Sequence, residues 1–131
     1  MGQVQFFDFQ VATRDIEGLT DARGDSIKSM LESDYSISVD SVKVILGYQV
    51  KSDISESDAQ SAIYDLFADP IIEVGVVNKS IINNQELFPT PPEIAITVGF
   101  KPGVTDNAGQ AGLDGLRTIF PEISDSISLN N

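Results

Sequence analysis

From Val4 the chain reads VQFFDFQVAT, with Phe7, Phe9 and Val11 alternating against Phe6, Asp8 and Gln10. That two-residue period predicts a half-buried strand. The strand runs into Arg14-Asp15-Ile16-Glu17-Gly18, where Gly18 marks a turn, and a helix is expected next. Thr20 is placed as its cap and Asp21 in its first turn, where the helix dipole favours negative charge. Ile27, Met30 and Leu31 then fall at i, i+3 and i+4 as one apolar stripe. The β-branched run ISVDSVKVILGYQV predicts a long strand over 39–50, with Gly47 marking a bulge or a bend, so one bent strand or two. In SDISESDAQSAIYDLFADP, Ser55 or Ser57 caps a helix with an apolar face of Ala59, Ala62, Ile63, Leu66 and Phe67. Asp69-Pro70 stops it. IIEVGVV, residues 71–77, reads as a third strand.

The pattern then lapses. Residues 78–92 hold three of the six prolines and little periodicity, the mark of a linker, with Leu87 and Phe88 expected to pin it to a surface. Alternation resumes in EIAITVGF, a strand predicted over 93–100 with Ile94, Ile96 and Val98 on one face. A Pro102-Gly103 turn and a helix over about 106–120 follow. That helix contains Gly109, Gly112 and Gly115. Each costs roughly 1 kcal/mol against Ala, unless the spacing of three serves close packing of backbone on backbone. The tail PEISDSISLNN is expected to fray or to start another strand at Ile127.

Residues 18–31 laid over 103–116, an offset of 85, give GLTDARGDSIKSML against GVTDNAGQAGLDGL. Gly18/Gly103, Thr20/Thr105, Asp21/Asp106, Gly24/Gly109 and Leu31/Leu116 are identical. The same offset sets Phe9 over Ile94 and Val11 over Ile96, so strand phase, turn, cap and helix start repeat together. Lys101-Pro102-Gly103-Val104-Thr105-Asp106-Asn107 after a strand resembles the strand–turn–helix signature of the PurS family, including the PurS-like N-terminal region of some phosphoribosylformylglycinamidine synthases. The first copy is similar through its turn and helix, through Ser41-Val42 to Gly47-Tyr48, and through Ala68-Asp69-Pro70-Ile71-Ile72-Glu73. It departs at Ile16-Glu17-Gly18, where the family prefers Lys-Pro-Gly.

The resemblance implies an α+β fold, a PurS-like antiparallel sheet backed by helices (β-α-β-α-β), followed by a truncated second β-α repeat. The division expected is 1–79 for the first repeat, 80–92 for the linker and 93–131 for the partial second. The 39 residues from Glu93 onward are too few for a whole second copy, so the chain is read as a fragment or a truncated product. The two copies are expected to pack face to face about an approximate two-fold. The strand at 93–100 would then match 7–14, and Phe7, Phe9, Val11, Ile94, Ile96 and Val98 would lie near a shared core. The family also implies a function: a non-catalytic assembly module joining the glutaminase and ATP-dependent synthetase parts in purine biosynthesis, with self-association. ATP and magnesium would belong to the parent enzyme, and no cofactor to this chain. An alternative of another class is a small-molecule regulatory domain of ACT type, which uses the same sheet-and-helix logic.

Composition narrows the chemistry. Twenty Asp+Glu stand against eight Lys+Arg, a net charge of −12. That argues against nucleic acid and anionic membranes as partners, and scattered as they are the acids read as a solvated surface. The absence of Cys and His excludes thiol nucleophiles, thiolate and imidazole metal sites and imidazole bases. No apolar run approaches twenty residues, and no basic segment followed by an apolar stretch opens the chain, so a soluble cytoplasmic protein is expected. The turn at 103–106 reads as a helix cap and not as a phosphate cradle, because Asp21 and Asp106 already occupy the positive helix ends. Asp53/Glu56 read as surface carboxylates, Arg23 and Lys28 as a solvated pair, and Tyr35, Tyr48 and Tyr64 as core-edge residues. No catalytic, cofactor-binding or metal-binding residue is expected.

Overall fold

The computed structural model describes residues 5–16, 18–99, 106–120 and 128–130. Its organising element is β1 (Gln5–Thr13), which pairs antiparallel with β2 (Leu46–Ser52) on one side and β3 (Glu73–Val77) on the other. A short β4 (Ser128–Asn130) adds antiparallel to β2, so the sheet order is β3-β1-β2-β4. The register sets Phe7 against Val50, Phe9 against both Tyr48 and Val77, and Val11 against Gly75. Period two then collects the large apolar side chains of β1 on one face, where Phe7, Phe9 and Val11 are buried as their alternation predicts.

That face is covered by helices. α2 (Glu56–Ala62) begins at Ser55, whose hydroxyl accepts from the Asp58 N–H at 3.1 Å. It continues as a π-helical turn, Ile63–Phe67, closed by the Ala68 N–H donating to the Ile63 carbonyl at 2.8 Å. The helix ends at Asp69-Pro70, where proline disfavours helical geometry in the residue before it. α3 (Asn107–Ile119) lies beside this turn and buries Leu113 and Leu116. The main core joins these to Phe7, Phe9, Val50 and Ile63. The molecule is thus α+β, an antiparallel sheet backed by helices.

The segment read as a linker is structured. After β3, Asn78 adopts a left-handed φ of 56° and exchanges two bonds with Asp8: its N–H donates to the Asp8 carbonyl, and its side-chain oxygen accepts the Asp8 N–H. A 3-10 turn at Ile81–Asn83 follows. Ile81 and Leu87 are both fully buried, forming a second core with Ala12 and Val74 on the sheet face away from the helices. The expected anchoring through Leu87 and Phe88 therefore holds, with Ile81 added.

Five expectations are corrected. The second strand covers Leu46–Ser52 and not 39–50, because Val44 gives its N–H to an Asp21 carboxylate oxygen at 2.7 Å, and Gly47 lies in regular register opposite Gln10. The cap of α1 (Ala22–Tyr35) is Asp21 and not Thr20; its side chain accepts from the Gly24 N–H at 3.0 Å. The stripe of that helix turns outward: Ile27 and Met30 are exposed, and Gly24 is its buried residue. Residues 93–99 form no strand, and Ile94, Ile96 and Val98 are 78%, 82% and 89% exposed, so they join no shared core. The flanks of β1 are filled by β2 and β3, and Pro89, Pro91 and Pro92 precede this stretch. Phe100 and the 101–105 turn lie outside the described residues. The third strand starts at Glu73, since the Ile72 and Glu73 N–H groups close a turn onto the Asp69 carbonyl. The tail yields β4; Ile127 itself lies outside the described residues.

Candidate functional site

The repeated motif acts at two helix starts. Asp21 and Asp106, equivalent in the repeat, both cap a helix by accepting from the N–H of the glycine three residues on, Gly24 at 3.0 Å and Gly109 at 2.8 Å. Each carboxylate fills the position an anion would take at a helix N-terminus, as the sequence implies. Gly24 is required for a separate reason: a Cβ there would overlap the backbone carbonyl of Val42. The shared Asp therefore has a structural cause at both helix starts, the cap, and Gly24 has a further one in its close-packed first turn.

A cavity of ≈ 290 Å³ opens between α3 and the π-helical turn, lined by Tyr48, Leu66, Phe67, Ala111 and Gly112. The glycine spacing in α3 makes this approach possible, since a Cβ at Gly115 would stand 2.9 Å from Leu66 Cδ2. Phe67 anchors the wall, its ring 5.0 Å from that of Phe9 and 4.7 Å from that of Tyr48, tilted in both cases. Burial pushes the Tyr48 phenol above its ordinary pKa; Arg23 opposes the shift, while Glu73 and Asp106 add to it. The cavity thus offers an apolar wall and one neutral phenol.

The other singled-out side chains are dispersed. Glu56 is exposed at the start of α2 and Asp53 half-buried before it, and neither lines the cavity beside α3. Lys28 donates to the Asp40 carbonyl at 3.1 Å, and Arg23 is exposed near Tyr48. Tyr35 is 64% exposed, so it is a surface residue and not a core-edge one. Tyr64 has a role the sequence did not reveal: its hydroxyl lies 3.2 Å from both the N–H and the carbonyl of Gly75 in β3. It accepts from the first and donates to the second, satisfying an outer strand edge. Among the described residues no group of three metal-ligating side chains comes together, and no helix is long and apolar enough to cross a membrane.

These features define a small α+β domain, an antiparallel sheet with a helical layer on one face and twice-used aspartate caps. Among solved structures, the chain is similar to the PurS subunit of phosphoribosylformylglycinamidine synthase from Thermotoga maritima. Identity is 18%, the match covers 60% of this chain and 95% of that one, and the TM-score is 0.41. That is the family the sequence motifs resemble; a similarity of this size carries no argument about activity. No family model matches the chain, and no curated protein matches it.

Proposed function

We propose that this chain is a non-catalytic PurS-like assembly module of phosphoribosylformylglycinamidine synthase, linking the glutaminase and ATP-dependent synthetase parts in purine biosynthesis in the cytoplasm. The observation that carries the reading is the doubled aspartate-capped helix start, Asp21–Gly24 inside a β-α-β-α-β unit and Asp106–Gly109 after it. These elements are architectural, and the one cavity described is lined by apolar groups and a phenol, a surface suited to packing. Self-association belongs to the same reading.

The test is reconstitution. The chain is mixed with a glutaminase and a synthetase lacking this module, and co-elution and glutamine-dependent amidine formation are measured. Co-elution with both and restored turnover are expected; co-elution with neither overturns the proposal. The regulatory alternative is separated in the same preparation, because free amino acids would then raise the melting temperature.

A further inference from the structure

The repeat extends further than its helix. At the same offset of 85, Asp40-Ser41-Val42-Lys43-Val44 lies over Asp125-Ser126-Ile127-Ser128-Leu129, with Asp and Ser identical and the apolar positions kept. Residues 21–45 and 106–130 are thus two copies of one helix-plus-strand segment. The second copy holds the place on the sheet: α3 covers the helical face and β4 pairs with β2. The first copy is displaced, with Ile27 and Met30 exposed and residues 38–45 outside any strand.

We propose that these two segments are alternative occupants of the same place, exchanging within one chain. Three fits support the exchange. Transferred by the offset, Ile27 falls at Gly112, beside the ≈ 290 Å³ cavity, whose volume its side chain would occupy. Leu31 falls at Leu116, which is fully buried, and Met30 at Gly115 against Leu66, a half-open flexible side chain able to move. The strand register closes as well. β4 pairs Ser128 with Lys51, Leu129 with Val50 and Asn130 with Gln49, so the transfer gives Lys43 to Lys51, Val44 to Val50 and Ile45 to Gln49. That is a hairpin whose three-residue loop is Leu46-Gly47-Tyr48, with open space where a Gly47 side chain would stand.

The exchange has a cost that explains which occupant is seen. Leu46, Gly47 and Tyr48 would leave their pairing with Val11, Gln10 and Phe9, and Lys43 would face the like charge of Lys51. Lys28 would also fall at Leu113, which is 9% exposed, bringing an ammonium to an apolar rim. α3 wins through Leu113. Substituting Lys28→Leu should therefore shift the balance toward α1.

Because the chain has no Cys, paired cysteines report each state cleanly. Gly115→Cys with Leu66→Cys traps the observed arrangement, and Met30→Cys with Leu66→Cys traps the exchanged one. Both pairs are expected to form intramolecular disulfides in the folded full chain, checked by circular dichroism and mass. Lys28→Leu should raise the rate of the Met30/Leu66 crosslink about tenfold or more, and Leu113→Lys should do the same by weakening α3. The proposal is overturned if the Met30/Leu66 pair stays reduced, or forms only covalent dimers, while Gly115/Leu66 closes. It is likewise overturned if Lys28→Leu leaves the Met30/Leu66 rate unchanged.

Discussion

Asp21 and Asp106 cap their helices alike, yet replacing Asp21 by Ala should cost more than the loss of a lone cap. Asp106 contributes a cap bond to Gly109, and losing such a cap costs about 1 kcal/mol. Asp21 contributes the corresponding bond to Gly24 and also holds the Val44 N–H at 2.7 Å in a half-buried setting. A bond to a charged acceptor adds about 1.5–2 kcal/mol, so Asp21→Ala should cost about 2.5–3 kcal/mol. With a urea slope of about 2 kcal/mol per molar, the unfolding midpoint should fall by about 1.3 M for Asp21→Ala, against about 0.5 M for the loss of a cap bond alone. Asp21→Asn is informative because the amide has one acceptor oxygen: it keeps the cap or the Val44 bond but not both, and should fall between. Urea titration followed by circular dichroism decides it. A shift for Asp21→Ala no larger than that of a lone cap, about 0.5 M, would refute the claim that Asp21 ties the 38–45 segment to the helix start.

Further outcomes follow from other contacts. Gly24→Ala should destabilise by about 2–3 kcal/mol because the new methyl meets backbone at Val42, whereas Gly115→Ala should stay within about 0.5 kcal/mol, helix propensity offsetting the shift of Leu66; thermal unfolding compares them. Tyr64→Phe should lose about 1 kcal/mol and raise the mass measured by light scattering at high concentration, since the Gly75 edge of β3 is freed for pairing. The Tyr48 phenol is raised in the folded chain, so the folded state keeps its proton longer than the unfolded one. Its contribution to stability is complete below the ordinary tyrosine value of about 10 and is lost as pH rises from there through the folded value. Tyr48→Phe should flatten that alkaline loss, and the tyrosinate absorbance missing from this variant should be one that titrates above about 10. Without added partners, the purified chain should form a dimer or larger species; one monomer mass across a wide concentration range would contradict self-association.

Much of this architecture is legible in the sequence where local pattern and tertiary demand agree. The Phe7, Phe9, Val11 alternation names the buried face of β1, and the Ala59, Ala62, Ile63 spacing names the buried face of α2. Failures occur where two segments want one position. Residues 39–45 and 93–99 carry as much β-branched character as β2, but β1 has two flanks and β2 one outer edge, and propensity does not count places. Ile81 was missed because a single apolar pair among Asn and Lys has no period; its signal is the pairing with Leu87 across the Asn84 turn, where the Asn84 side chain accepts the Leu87 N–H. The cavity beside α3 was foreshadowed only by the glycine spacing, which allows close packing without saying against what. The role of Tyr64 had no sequence signal, since it depends on a hydroxyl reaching a strand eleven residues away.

The burial of Ile81 and Leu87 bears on where this unit could be cut from or joined to other chains. A boundary drawn after Val77 or at 79 follows the repeat, but it would strip the lid from Ala12 and Val74 and leave half the rear of the sheet wet. A piece meant to stand alone keeps the segment through Phe88, whose N–H is held by the Asn84 carbonyl, and α3 as well, since Leu113 and Leu116 close the other core. The span marked by sequence similarity and the span that buries both faces of the sheet are therefore different quantities. A fusion designer who trusts the repeat would inherit two uncovered apolar faces, one behind the sheet and one where α3 had lain.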